Sequence, residues 1–339
     1  MQAQEGHRFL DPTTLARIGN LELIAKFVVE GFISGLHKSP YHGFSVEFAQ
    51  YRQYIPGDEI KHIDWRVYGR TDRYYIKQFE EETNLNCYLL LDTSRSMEHP
   101  HPKDSRSSEA KIPRSGISTR HSDSDTASLS SAGASPSQSK EKLTKLEYAC
   151  FLTASLAYFM VKQRDAVGFA YFDEKLHEYL PARSTPSHLH SILLSLEQLQ
   201  TTKLTRMGEP LHQIAERLSK RGLIILISDL YEENPETVVK ALEHFRYDGH
   251  EVIVFHLLDH QELEFEFERI TRFIDAETDE EIITTPQVIR DSYLNHLHDF
   301  INHYKLEFSK SYIDYNMIDT STPLDYALSS YLAKREGLM

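Results

Sequence analysis

The sequence predicts an α/β fold: a doubly wound, mostly parallel sheet with an N-terminal helix and a small β-rich extension. Two observations predict it. Residues 86–91, 166–172, 223–227 and 251–258 form nearly continuous apolar runs, the pattern of strands covered on both faces. Between them lie segments whose apolar residues recur at helical spacing, and such alternation builds a parallel sheet with helices on either side.

Taken in order, residues 14–36 place Leu15, Ile18, Leu21, Ile24, Phe27 and Val28 at helical spacing and end near Gly31 and Gly35, which gives an amphipathic helix packed on the main body. From 44 to 80 the pattern changes to short aromatic-rich extended pieces broken by the Pro56-Gly57-Asp58 turn signal. Residues 143–161 carry Leu143, Leu146, Cys150, Thr153, Ala157 and Met160 on one stripe and are apolar on the other faces too, so this helix is expected to be central. Residues 175–180 follow the Asp173-Glu174 turn and read as an antiparallel edge strand. Further helices are expected at 187–199, 209–220, 235–245, 287–308 and 323–334, with another strand at 312–318.

One stretch, 99–142, is rich in Ser with few apolar residues; it cannot bury enough surface to offset its ordering entropy and is expected to be a disordered insertion. The expected organisation is therefore an N-terminal helix plus β-rich extension over 1–84 and an α/β domain over 85–335 that contains the insertion.

The formal charge of −14 opposes nonspecific attraction to nucleic acid or anionic lipid. No run approaches the roughly 18 to 20 apolar residues needed to cross a bilayer, and the first eleven residues lack a signal-peptide core, so the expected location is the cytoplasm with no membrane partner. Cys87 and Cys150 each lie inside an apolar run and read as small hydrophobes, not as a disulfide or a zinc site.

The chemistry is concentrated where two strands end. The first apolar run feeds into Asp92-Thr93-Ser94-Arg95-Ser96, and the run at 223–227 ends in Ser228-Asp229. In open α/β sheets ligands sit at the carboxyl ends of strands, and the two carboxylates become neighbours if these strands flank the point where strand order reverses. Carboxylate and hydroxyl oxygens are hard ligands suited to Mg²⁺, Mn²⁺ or Ca²⁺. An isolated Asp-x-Ser-x-Ser is also a common helix start, with the aspartate capping and the serines closing a turn. Ligands at a strand-end rim contribute little to core packing, so replacing Asp92 or Asp229 is expected to leave the fold intact.

The stretch 92–97 resembles the first segment of the metal-ion-dependent adhesion site of von Willebrand factor A domains. Those domains add a threonine from a later loop and an aspartate after the fourth strand, positions that Thr205 and Asp229 match. The resemblance thus implies Asp92, Ser94, Ser96, Thr205 and Asp229 as metal ligands. It is closer still to the bacterial family known as domain of unknown function 58, through Phe48, Tyr51-Arg52-Gln53-Tyr54, Pro56-Gly57-Asp58 and Ile63-Asp64-Trp65 ahead of the metal segment. Gln163-Arg164-Asp165, Lys220-Arg221-Gly222, Gly249-His250-Glu251 and Thr322-Pro323-Leu324 beyond it also match.

Members of that family are often paired with MoxR-type AAA+ ATPases. The resemblance therefore implies a non-enzymatic adaptor or co-chaperone whose Mg²⁺ (or Mn²⁺ or Ca²⁺) accepts a carboxylate from a partner protein. No Gly-x-x-x-x-Gly-Lys-Ser/Thr run supplies an ATPase site of its own. Two features depart from the family pattern: the Ser-rich insertion is long, and Arg206 follows Thr205 where a small or acidic residue is usual.

Two other functions are open to the residues. Asp92 at the end of a first strand also suits a metal-dependent phosphohydrolase, but that chemistry wants a second aspartate two residues on, and Ser94 stands there. Basic and aromatic residues alternate over 51–77 (Arg52, Tyr54, Trp65, Arg66, Tyr68, Arg70), a pattern that can bind single-stranded nucleic acid. The interspersed Asp58, Asp64 and Asp72 and the negative total charge favour a small structural sheet there, so nucleic acid is not the expected partner.

Overall fold

A computed structural model describes residues 20–36, 51–53, 68–70, 74–77, 85–98, 109–112, 119–120, 143–199, 206–267, 271–275, 281–326 and 328–329. Its centre is a six-stranded sheet built from β3 (Asn86–Asp92), β6 (Ala166–Phe172), β7 (Leu176–Arg183), β8 (Leu223–Ser228), β9 (Glu251–Leu258) and β12 (Asp314–Asp319). The spatial order is β12-β9-β8-β3-β6-β7. All neighbours are parallel except β6 and β7, which pair antiparallel. The chain winds outward from β3 through β6 to the β7 edge, returns to the other side of β3 as β8, and continues outward. That is a doubly wound α/β sheet with its reversal between β3 and β8.

Burial explains the strands. β8 is buried at every position, and β3 and β9 at all but the first. β7 instead has only exposed and half-buried residues and carries Pro181, which an edge strand tolerates because one side of its backbone needs no partner. Gly222 permits the close start of the β3–β8 pair, since a Cβ there would sit 2.2 Å from the Asn86 carbonyl oxygen.

Two layers of helices cover the sheet. On one face, Cys87, Leu89, Leu91, Val167, Phe169, Ile225 and Phe255 pack against α1 (Leu21–Leu36), α2 (Lys145–Lys162) and α3 (Pro186–Glu197). On the other, Tyr88, Leu90, Ala170, Ile224, Leu226 and Val254 meet α4 (Gly208–Arg217), α5 (Pro235–Tyr247) and α7 (Pro286–Lys310). As its sequence predicts, α2 is central, and its buried Thr153 and Ser155 hydroxyls donate to Ala149 and Phe151 carbonyls one turn back at 2.7 Å. A five-residue helix, α6 (His260–Glu264), follows β9.

Elsewhere β1 (Tyr51–Gln53) pairs antiparallel with β2 (Tyr75–Lys77), as a small structural sheet requires, and Tyr68 stacks on Tyr74 at 4.5 Å. The Ser-rich stretch 99–142, expected to lack regular structure, contributes β4 (Glu109–Ile112) and β5 (Thr119–Arg120) to a small sheet. Both pair with β10 (Thr271–Asp275), which also pairs antiparallel with β11 (Glu281–Thr284), a hairpin that periodicity did not indicate. Strands this short draw their order from ladder hydrogen bonds to another segment, not from an apolar pattern of their own. The rest of the insertion and the end of the helix expected at 323–334 lie outside the described residues.

Candidate functional site

β3 and β8 are adjacent and in register, Leu91 opposite Ile227, so the segments that leave them emerge side by side at the carboxyl edge, where the winding reverses. Asp92, Ser94, Ser96, Ser228 and Asp229 are all essentially inaccessible to solvent. The Asp92 carboxylate accepts from the Ser94 backbone N–H at 2.8 Å through Oδ1 and from the Ser228 hydroxyl at 2.6 Å through Oδ2. Ser96 Oγ donates to Asp229 Oδ1 at 3.1 Å and lies 3.0 Å from Ser94 Oγ. A hydroxyl has one proton, so with Ser96 donating to Asp229 it is Ser94 that donates to Ser96, and lone pairs remain on both oxygens. The turn Arg95–Glu98, a single 3₁₀ turn anchored by the fully buried Met97, holds the two serines in this line.

A residue the sequence did not single out completes the cluster. Lys145, the first residue of α2, is fully buried, and its ammonium donates to Asp229 Oδ2 at 2.8 Å and to Glu262 Oε1 at 2.9 Å. It also stands 5.0 Å from the centre of the Tyr231 ring. Thr144 caps the helix and forms a capping box with Glu147, which fixes where Lys145 enters. Glu262 belongs to a second capping box: its Oε2 accepts from the Asp259 N–H at 2.8 Å, and this ties α6 to the rim.

Charge at the site is unevenly neutralised. Burial pushes the Asp92 carboxyl up to about 7, the nearby Asp229 charge adds to this, and hydrogen bonds from Ser228 and Ser94 act in the opposite sense. Burial would lower the Lys145 ammonium, but Asp229 and Glu262 outweigh it and hold Lys145 above the usual lysine value, hence charged. Burial raises Glu262 to about 7 against the pull of Lys145. The ammonium thus bonds Asp229 and Glu262, and among the described residues no cation is paired with Asp92.

Of the five sequence-predicted ligands, four meet at one point: Asp92, Ser94, Ser96 and Asp229. Thr205 lies outside the described residues. Arg206, expected near the site, is exposed, and its positive charge acts on Glu232. The donor set of carboxylate and hydroxyl oxygens fits a hard divalent cation, which would favour the ionised form of the Asp92 carboxyl that burial disfavours. Among the described residues no group of three or more His, Cys, Asp or Glu side chains is placed to hold a metal.

Signals for the missed residues were weak. Ser228 adjoins Asp229 just past the apolar run, but a lone hydroxyl there carries no motif of its own. Glu262 reads as the third residue of a helix cap. Lys145 carries one local oddity, a cation in the first turn, where the helix dipole disfavours positive charge.

Comparison with known proteins places the chain. The profile of the family described as "Protein of unknown function DUF58" matches residues 50–112 and 117–299. The chain belongs to the DUF58 family. Uncharacterized relatives from Mycobacterium bovis and Mycobacterium tuberculosis are 32% identical over 88 residues, 26% of this chain and 28% of theirs. The match therefore spans little more than a quarter of those relatives.

Among solved structures, the chain is similar to the conserved hypothetical protein BatB from Bacteroides thetaiotaomicron, at 17% identity and TM-score 0.40 over 74% of this chain and 98% of that one. An aerotolerance-related membrane protein from Bacteroides fragilis gives 17% and 0.41 over 74% and 99%. An uncharacterized membrane spanning protein from Vibrio fischeri gives 11% and 0.23 over 74% and 96%.

The cytoplasmic placement expected from the sequence is corrected: the similar chains from Bacteroides fragilis and Vibrio fischeri are described as membrane proteins. Its premise bears on crossing a bilayer, not on where a domain works. Among the described residues no helix is long and apolar enough to cross a membrane.

Proposed function

We propose that this chain is a protein-binding module of von Willebrand factor A-like architecture. In this reading Asp92, Ser94, Ser96, Asp229 and Thr205 hold a divalent cation, Mg²⁺ or Mn²⁺ (or Ca²⁺), whose remaining position takes a carboxylate from a partner protein. The observation that carries the reading is the line Ser94 Oγ to Ser96 Oγ to Asp229 Oδ1 beside the Asp92 carboxylate, at the strand-order reversal. Mg²⁺ wants six oxygens at about 2.1 Å and retains waters readily. Directly bound serine oxygens and aspartates that act through waters leave a place for an outside ligand. The reading is one of binding without turnover, and it takes the partner to be a MoxR-type AAA+ ATPase to which the module presents clients.

The four described ligands are buried, so the rim must open before a partner's carboxylate can reach the metal. The test is calorimetry of Mg²⁺ and Mn²⁺ binding to the chelator-stripped wild type and to Asp92→Asn and Ser94→Ala, followed by binding of a MoxR-type ATPase with and without chelator. Saturable cation binding lost in both variants is expected, together with ATPase association that chelator abolishes. Undiminished cation binding in both variants refutes the site. Turnover of a general phosphatase substrate that Asp92→Asn abolishes would make the chain an enzyme instead.

A further inference from the structure

We propose that Lys145 is a latch on this site. Without a divalent cation its ammonium clamps Asp229 to Glu262, and a cation bound by the Asp92, Ser94, Ser96 and Asp229 oxygens displaces it and frees the short helix α6. The proposal rests on the cation reading above and adds a regulator to it.

The argument begins with how the Asp229 carboxylate is shared. Oδ1 faces Ser96 at 3.1 Å and Oδ2 faces the Lys145 ammonium at 2.8 Å. A cation on the serine oxygens that also draws on Asp229, directly or through a water, must therefore share that carboxylate with a fully buried lysine. Two positive charges on either side of one carboxylate repel strongly where there is little water to screen them. Lys145 has a four-carbon stem and can swing away, whereas the serine oxygens are fixed by the 3₁₀ turn.

The other arm of the clamp gives the displacement a structural consequence. Glu262 divides its oxygens between Lys145 at 2.9 Å and the Asp259 N–H at 2.8 Å, so the bond that starts α6 hangs on the same carboxylate. With only five residues, α6 has little cooperative stability of its own, and Phe265 ends it at a φ of 48°, in the left-handed region that non-glycine residues avoid. A receiving group is at hand. Among the described residues the Tyr293 hydroxyl on α7, which is buried, has no hydrogen-bond partner, and it lies near enough to Glu262 and Asp259 to feel their charges. Its ring packs on Phe265 at 4.5 Å. Once the ammonium leaves, that hydroxyl can donate to Glu262 and hold α6 in a second position, and the rim opens beside the cation.

The test uses the full chain, stripped with chelator and titrated with Mn²⁺. Free Mn²⁺ is followed by electron paramagnetic resonance, and exchange of backbone amides is followed across 259–267. In the wild type, Mn²⁺ should speed exchange in that segment. Lys145→Met should bind Mn²⁺ at least about tenfold more tightly, with exchange already fast before metal is added. Should that variant fold poorly, Lys145→Met with Glu262→Gln removes one charge of each sign and should still bind Mn²⁺ more tightly than wild type.

Wild-type binding of Mn²⁺ with no gain in affinity in either variant overturns the latch, as does unchanged exchange over 259–267, and both outcomes leave the cation reading standing. No Mn²⁺ binding by wild type or variants sinks the cation reading and the latch with it.

Discussion

The two ends of the central sheet put the same chemical pair to different uses. At the carboxyl end, Lys145 meets Asp229 and Glu262 at 2.8 and 2.9 Å with all three side chains closed to solvent. At the amino end, Arg246 meets Glu251 at 2.7 Å, as close a contact, but the partners keep 24% and 30% of their side-chain surface exposed. Arg246 also has a second acceptor in the His250 carbonyl at 2.8 Å and can exchange partners with water. A contact distance alone therefore says little about what an ion pair does. Burial decides whether losing one partner strands a charge or merely hydrates it.

The largest expected effect breaks the pair at each end. Lys145→Met leaves Asp229 and Glu262 buried without their cation and should cost about 3 to 5 kcal/mol of stability in the absence of metal. Arg246→Met at the half-exposed pair should cost no more than about 1 kcal/mol. Urea unfolding of both variants with chelator present checks this, and equal costs would remove the contrast between the two ends. The same buried contacts qualify the expectation that Asp229 is structurally idle. It is a rim ligand by position, but it is also the partner of a buried ammonium.

A smaller effect should come from the cap that delivers Lys145. The Thr144 hydroxyl accepts from the Glu147 N–H at 3.0 Å, and the Glu147 carboxylate returns a bond to the Thr144 N–H at 2.8 Å. Thr144→Ala should cost about 1 kcal/mol. If Lys145 depends on that cap for its placement, the Thr144→Ala and Lys145→Met costs will fall short of additive in the double variant. Strict additivity would mean that the ammonium finds Asp229 whether or not the helix start is fixed.

How much of this was legible follows from where each signal resides. The strands of the central sheet were readable because burial on both faces leaves a continuous apolar run, and β6 and β9 begin and end where those runs do. Asp92, Ser94, Ser96 and Asp229 were readable because the end of a strand fixes where its next residues stand. Lys145 and Glu262 were not. Each is a charged residue in the first turn of a helix that elsewhere would point to water, and only the fold brings Lys145 onto Asp229 and Glu262, 84 and 117 positions further along the chain. The hairpin of β10 and β11 escaped for a related reason, since Ile282 and Ile283 are 50% and 65% exposed and no alternation marks a buried face.

The smallest expected effect sharpens the picture of the amino end, where a titratable group is buried with a backbone carbonyl as its hydrogen-bond acceptor. His188 on α3 donates Nε2–H to the Val167 carbonyl at 2.8 Å near the start of β6 and is 8% exposed. Burial lowers its pKa below the ordinary 6.5, the Val167 bond opposes this, and the Arg183 charge adds to the lowering. A histidine depressed in the folded state binds its proton more readily once the chain unfolds. Its contribution to stability is therefore complete above about pH 6.5 and is lost as pH falls through the depressed value. His188→Gln keeps a donor near Val167 and removes the titration. The difference in stability between wild type and this variant, from urea unfolding at a series of pH values, should shift against wild type as pH falls below about 6.5. A constant difference across that range would mean that the imidazole is as well hydrated in the fold as outside it, and His188 would then not share the strain of the buried groups at the carboxyl end.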